Sequence, residues 1–247
     1  MQHFRLETAD STSLEARRRL SSGEALPFAV SALMQTAGRG RQGKAFFSPS
    51  GGIYLTVAFP AESLALTDTV PLTVRAAVSA AQSIEAVTGL SLGIKWVNDL
   101  YLSNKKVAGI LTEAITSPET RCVTTILVGV GVNLTPPTPP SDFPDDLSLA
   151  GGLFPVSPTE DLRDALTEAL LCGLSRDLMG ESALLSEAIL EEYRRRSTVL
   201  GRPVAFWQNG NRREGVAAAI DGEGALLVET EGGCVRLTSG EITLRPL

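Results

Sequence analysis

Residues 71–87 carry apolar and alanine positions at helical spacing, and strand-like stretches follow at 94–96, 100–102, 107–111 and 123–132 with no second helical pattern between them. Alternating βαβ units would need a helix between successive strands, so a helix followed by consecutive strands predicts an α+β fold. Pro71 falls at a tolerated first-turn position, Gly89 stops the helix, and Ser103-Asn104-Lys105 reads as a hairpin turn.

The flanking segments extend the same reading. Residues 11–20 predict a helix, and Thr12-Ser13-Leu14-Glu15 has the Thr-x-x-Glu pattern of a capping box at its start. Residues 28–34 predict a buried strand ending at Gln35, and 53–59 a further strand. Five prolines between Thr135 and Pro144 exclude regular structure and predict a surface loop. Helical periodicity returns at 162–178 and 184–196, and Gly201-Arg202-Pro203 marks a boundary. Beyond it, 204–207, 215–220, 225–229, 235–238 and 242–244 read as short strands, with turns at Gln208-Asn209-Gly210 and Asp221-Gly222-Glu223-Gly224. Five strands in about 45 residues predict a small barrel. The chain thus divides into a main domain, residues 1–198, and a smaller one, residues 199–247.

Composition narrows the chemistry. With 247 residues and 43% hydrophobic content, one sizeable core can be buried. No run of about 18 apolar residues occurs, and residues 1–7 lack the apolar centre of a signal peptide, so a soluble, cytoplasmic protein is expected. Cys122, Cys172 and Cys234 show no CxxC spacing for zinc or redox chemistry and are expected to be packing residues. The only histidine, His3, is expected at a mobile terminus, which removes the base of a Ser-His-Asp or Cys-His mechanism. Net charge of −6 excludes a global basic field for nucleic acid. Locally the balance reverses: no acidic residue stands between Glu24 and Glu62, while Arg39, Arg41 and Lys44 cluster there. A cationic, glycine-rich segment in an acidic chain points to a small anionic ligand.

Gly38-x-Gly40-x-x-Gly43 formally matches the dinucleotide fingerprint, which requires a helix to begin at its third glycine. The following Phe46-Phe47-Ser48-Pro49-Ser50-Gly51-Gly52 breaks such a helix, and Glu62 comes after a strand instead of at its end. Two readings remain for the segment. It is a solvated turn with incidental arginines, or it is an anion-binding loop in which glycines expose backbone N–H groups and Arg39 and Arg41 supply planar forks, ordering when its ligand binds. Lys95-Trp96-Val97-Asn98-Asp99-Leu100 likewise reads as an Asn-Asp turn satisfying its own backbone or as a ligand contact. Lys106, directly after the hairpin turn, is either a solvated edge residue or an ammonium held in a fixed direction by its strand.

Ser11-Thr12, Gln35 through Gly43, Ser48-Pro49, Lys95 through Leu100, Lys106-Val107-Ala108-Gly109-Ile110-Leu111-Thr112-Glu113 and Gly129-Val130-Gly131-Val132-Asn133-Leu134 occur in one order along the chain. In that order they resemble the biotin protein ligases, and Gly201-Arg202-Pro203-Val204 with Gly240-Glu241-Ile242 resembles that family's small SH3-like domain. The resemblance implies a class II aminoacyl-tRNA synthetase-like catalytic domain over residues 1–198. It implies an enzyme that activates biotin as biotinyl-5′-AMP with ATP and Mg²⁺ and transfers it to a lysine of a biotin carboxyl carrier domain. Carried over by position, Ser11, Thr12, Ser13, Gln35, Arg39, Gly40, Arg41, Lys106 and Gly109 bind biotin. Arg39, Arg41, Phe46, Asn98, Asp99, Lys106 and Asn133 bind ATP or the adenylate, and Lys106 and Arg41 are catalytic. The metal ligands are not assigned. The implied partners are biotin, ATP and the carrier, without nucleic acid or membrane, and the implied state is monomer or homodimer.

The chain departs from the family at Ser13, where Asn is usual, at Lys44 (Arg), at Phe46 (Trp) and at Val97 (Pro). Phe46 keeps an aromatic face with less area than indole, and Ser13 replaces only part of an Asn's hydrogen bonding. The nearest alternative is a ligase for lipoate or octanoate, which the C-terminal piece and residues 38–43 disfavour. A sensor that binds biotin or its adenylate without transfer is the alternative from another class; no helix-turn-helix segment is recognised before residue 10, so repression is not expected.

Overall fold

The computed structural model describes residues 1–61, 69–117, 119–120, 122–139, 149–179, 185–208, 210–240 and 242–244. The elements run β1 (Gln2–Ala9), α1 (Thr12–Ser21), β2 (Phe28–Gln35), β3 (Ile53–Pro60), α2 (Thr69–Thr88), β4 (Gly93–Lys95), β5 (Asp99–Leu102), β6 (Lys105–Thr116) and β7 (Val123–Val132). They continue with α3 (Glu160–Leu178), α4 (Glu187–Arg196), β8 (Pro203–Gln208), β9 (Asn211–Ile220), β10 (Leu226–Thr230), β11 (Gly233–Leu237) and β12 (Ile242–Leu244). The first seven strands form one sheet in the order β1-β2-β3-β7-β6-β5-β4, and the last five form a second in the order β11-β10-β9-β8-β12. Among the described strands only β1 and β2 pair with each other in parallel, and α1 is the crossover that such a pairing requires; the other strand-to-strand ladders are antiparallel. The α+β expectation is met, with a mixed main sheet.

Strand periodicity decides which face is filled. On β7, Val128, Val130 and Val132 join the main core, while Leu127 turns the other way to pack with Ala16, Phe28, Val30 and Ala58. The main core face is covered by α2 and α3, which approach closely because Gly173 presents no side chain to Ser79 and Ser83: a Cβ there would stand 2.2 Å from Ser83 Oγ. On the opposite face α1 covers only one end, over β2, β3 and β7. The rest of that face carries Gly109, Gly129 and Gly131, and it stays open as a cleft.

The second sheet shares the first one's core. Val204, Phe206, Ala217, Ile220, Leu226, Val228, Leu237 and Ile242 belong to the same buried cluster as α2 and α3. Buried polar contacts fasten the junction: Trp96 Nε1 donates to Gly224 O at 2.9 Å, and Arg194 donates from Nε and Nη2 to Ile220 O at 3.0 and 2.9 Å.

Several local expectations are corrected. The N-terminal residues form strand β1, so His3 is not on a mobile end: its ring nitrogen Nε2 lies 2.8 Å from Ser31 Oγ, and burial lowers its pKa, with Arg5 adding to the shift. All three cysteines are exposed, so none is a packing residue. The capping box does not form. Ser11 is the N-cap with no side-chain cap bond, Glu15 pairs with Arg18 and Arg19, and the Thr12 amide is satisfied from a distance by Gln35 Oε1 at 2.8 Å. The hairpin turn is the two residues Ser103 and Asn104, at φ 48° and 63°, with Lys105 already paired in β6. Helix α4 begins at Glu187, capped by Ser186, whereas the sequence placed its start at Leu184, outside the described residues. Glu62, Asn209, Glu241 and residues 140–148 also lie outside them, while residues 135–139 have no regular structure, as the prolines require. Among the described residues no helix is long and apolar enough to cross a membrane.

Candidate functional site

The cleft over the glycine face has a volume of about 350 Å³ and is lined by residues from both sheets. Every residue that the sequence placed at a site lines it: Ser11, Thr12, Ser13, Gln35, Arg39, Gly40, Arg41, Phe46, Asn98, Asp99, Lys106, Gly109 and Asn133. They sort into a polar end, a smooth floor and a charged wall.

The polar end is built on the start of α1. Ser11, Thr12 and Ser13 are each buried, and Ser11 Oγ lies 3.1 Å from Ser13 Oγ. Gln35, at the end of β2, accepts from Thr12 N at 2.8 Å and from Thr12 Oγ1 at 3.2 Å, and its Nε2 donates to Ser48 Oγ at 2.8 Å. Ser48 Oγ in turn donates to Phe46 O at 2.8 Å. Gly38 permits this network, since a Cβ there would stand 2.4 Å from Ser48 Oγ and 2.3 Å from Phe46 O. Thr56, fully buried on β3, adds a hydroxyl 2.8 Å from Thr12 Oγ1. Such a cluster of hydroxyls and an amide offers paired donors and acceptors inside an otherwise apolar pocket.

The floor exists because the strands alternate. Gly109 and Gly131 are register partners on β6 and β7, and the Phe46 ring lies over them; a Cβ on Gly131 would stand 2.5 Å from Phe46 Cε1. Phe46 also meets Tyr54 edge-on at 6.4 Å between centroids. Burial raises the pKa of the Tyr54 hydroxyl, which donates to Pro49 O at 2.7 Å.

The charged wall is made by the glycine-rich hairpin and the β4–β5 turn. Residues 38–46 close on themselves through Phe46 N to Gly38 O at 2.9 Å and Gly40 N to Lys44 O at 2.8 Å, with Arg41–Gly43 as a single 3-10 turn at the tip. No α-helix follows the third glycine, which removes the dinucleotide fingerprint. Arg41 Nη1 donates to Asn98 Oδ1 at 3.1 Å, and Arg39 is held at 3.6 Å by Glu113, which also pairs with Arg17 at 3.0 Å. Asn98 is locked to β6, its Nδ2 donating to Ile110 O at 2.8 Å and its own carbonyl accepting from Ile110 N at 2.9 Å. Lys106 Nζ stands 2.7 Å from Asp99 Oδ1, a charge contact without hydrogen-bond alignment. The Lys106 backbone is pinned on both sides, its amide donating to Leu149 O at 2.7 Å and its carbonyl accepting from Gly151 N at 2.8 Å. Tyr101 sits beside this pair, its pKa pushed up to about 12 by burial and by the Asp99 charge. A lysine fixed in this way is not a solvated edge residue.

Sequence reasoning did not assign Thr56, Lys95, Trp96, Leu149, Gly240, Ile242 or Thr243, all of which line the cleft. For the first, a single threonine inside the apolar run of β3 was too weak a signal to single out, whereas the last three arrive through docking of the second sheet. Among the described residues no group of three or more His, Cys, Asp or Glu side chains could hold a metal ion. Asp99 is, among the described residues, the only carboxylate lining the cleft.

Comparison with known proteins identifies the family and matches the fold. The model of the biotin/lipoate A/B protein ligase family matches residues 7–133, and that of the biotin protein ligase C-terminal domain matches residues 199–245. The bifunctional ligase/repressor BirA of Bacillus spizizenii is 34% identical over 215 residues, covering 85% of this chain. The chain spans only 64% of that relative's length. The biotin–[acetyl-CoA-carboxylase] ligase of Paracoccus denitrificans is 29% identical over 249 residues, covering 96% of this chain and 98% of the relative. A biotin protein ligase from Aquifex aeolicus, solved with biotin and ATP, shares the fold with a TM-score of 0.74 at 23% identity, covering 99% of this chain and 98% of that one. With one family model matching just over half of its length and a second its C-terminal sheet, the chain belongs to the biotin/lipoate A/B protein ligase family.

Proposed function

We propose that the chain is an ATP-dependent biotin protein ligase, with a catalytic domain at residues 1–198 and an SH3-like domain at 199–247. The observation that carries the proposal is the division of one cleft. A neutral hydrogen-bonding end at Thr12 and Gln35 suits the ureido head of biotin, and a cationic end at Arg39, Arg41 and Lys106 suits its carboxylate and the α-phosphate. The biotin carboxylate oxygen attacks the α-phosphorus of ATP, the bond to the pyrophosphate oxygen breaks, and biotinyl-5′-AMP forms. Lys106 and Arg41 offset the negative charge that gathers there. In the second step the amine of the carrier lysine attacks the activated carbonyl, the bond to the AMP oxygen breaks, AMP leaves with that electron pair and the amine gives up a proton.

Phe46 offers a face to adenine, and Asn133, held by its backbone N–H donating to Val107 O at 2.8 Å, lines the cleft for the same ring. Mg²⁺ fits a site with one carboxylate when phosphates supply the other oxygens; Asp99 would hold it, and it would neutralise triphosphate charge. The partner in this reading is a biotin carboxyl carrier domain, and the compartment we propose is the cytoplasm. The test of the first step is exchange of labelled pyrophosphate into ATP. Exchange should require biotin, ignore lipoate and octanoate, and fall at least about a hundredfold in Lys106→Ala; an unchanged rate in that variant removes Lys106 from the chemistry.

A further inference from the structure

We infer that Tyr193 and Trp96 are positioning residues that hold Asn98 and Asp99 in register with Arg41 and Lys106, so that α4 and the second sheet support the reacting groups; this rests on the ligase reading of the cleft.

The turn from Lys95 to Asp99 presents two groups forward and is tied back at two others. Forward, Asn98 Oδ1 accepts from Arg41 and Asp99 meets Lys106 at 2.7 Å. Behind, Val97 O accepts from the hydroxyl of Tyr193 at 2.9 Å, and Trp96 Nε1 donates to Gly224 O at 2.9 Å. Tyr193 is 1% exposed and Trp96 4% exposed. Both ties therefore lie where water cannot replace them, and a carbonyl deprived of its donor there must shift to find another. Tyr193 is not among the residues that line the cleft. Its hydroxyl stays protonated because burial raises its pKa, and the charges of Arg41 and Asp99 are near enough to act on it, in opposite directions. The same helix reaches the second sheet, where Arg194 grips Ile220 O twice. The start of the turn is held as well, because Thr198 N donates to Ile94 O at 2.9 Å. Each part of the turn is thus fixed from a different element. Displacing reacting groups by tenths of an ångström is enough to slow a reaction that depends on alignment.

The test uses the full chain and the variants Tyr193→Phe and Trp96→Phe, alone and combined with Asp99→Asn. Tyr193→Phe keeps the ring and removes only the hydroxyl. It should lower the turnover number for biotin-dependent pyrophosphate exchange by about fivefold to tenfold, while biotin affinity without ATP changes less than about twofold. In the Asp99→Asn background the same substitution should cost clearly less than in the parent chain, because only Asn98 is left for it to position. A loss that multiplies fully with Asp99→Asn would mark Tyr193 as merely structural and overturn the inference, as would a wild-type rate in Tyr193→Phe. Should Tyr193→Phe lose its cooperative thermal transition, Trp96→Phe reads the second tie by the same comparison and the same criteria. Wild-type exchange in both Asp99→Asn and Lys106→Ala would sink the ligase reading of these residues and the inference with it. Losses in those two beside full rates in the Phe variants would overturn the inference alone.

Discussion

Gly131 and Phe46 show how residue choice and chemistry are joined at the site. The ring occupies the space that a Cβ on Gly131 would need, at 2.5 Å from Cε1, so Gly131→Ala must push the ring aside or strain the strand. We expect that substitution to cost about 1–3 kcal/mol of stability. The penalty should largely vanish in a Phe46→Ala background, as measured by denaturant unfolding of the four proteins; equal penalties in both would show that the ring is not what the glycine accommodates. Part of the site was legible at this scale because its residues are chemically unusual where they stand, and the remainder was indicated only by the family resemblance. Two arginines among glycines, an amide beside a carboxylate and a lysine after a turn all proved to face one cleft. Thr56 was not found, since a single hydroxyl in a strand pattern more often marks nothing. Glu113 was quoted only as part of a motif, yet it holds Arg39 and Arg17 together.

At the scale of elements, α4 carries two charge pairs at helical spacing, Glu192 with Arg195 and with Arg196, and one that no local spacing indicates, Arg196 with Glu85. Glu192 bonds Arg195 and Arg196, Arg196 is almost fully buried and also reaches Glu85, and it donates to Leu92 O at 3.1 Å. These partners, the Arg195 hydrogen bond first, hold the Glu192 carboxyl down at about 2 against an ordinary 4.5. A lowered folded-state pKa means that the stabilisation is complete above the unfolded value and is lost as pH falls through about 4.5 towards 2. Glu192→Gln should therefore be less stable than the parent at pH 7, with a gap that is clearly smaller at pH 2.5 in urea unfolding and closes only below the folded value of about 2; a stability gap that does not shrink with acid would contradict this. The strand β7 was read correctly to the residue because its valines and glycines alternate over a long run. β1 was missed since an edge strand shows only two inward apolar residues, Phe4 and Leu6, between charged and polar ones. The start of α1 was misread for another reason: Gln35, distant in sequence, supplies the bond expected of a local capping box.

Over the whole molecule, the two sheets share one core, and the cleft takes Gly240, Ile242 and Thr243 from the second of them. Spacing in the sequence indicated five short strands after Gly201, but nothing in it indicated where they would dock. The docking relies on backbone carbonyls, Gly224 O and Ile220 O, which leave no trace in a pattern of side chains. That arrangement makes the second sheet part of the support for the chemistry. Transfer of biotin to a carrier lysine by this chain is read directly from the carrier's mass. Purified protein incubated with ATP, Mg²⁺ and a biotin carboxyl carrier domain, in parallel with biotin, lipoate or octanoate, should add one biotin-sized mass to the carrier's acceptor lysine, only with biotin and only with ATP. An unchanged carrier mass, or a gain of equal rate with lipoate or octanoate, would contradict it.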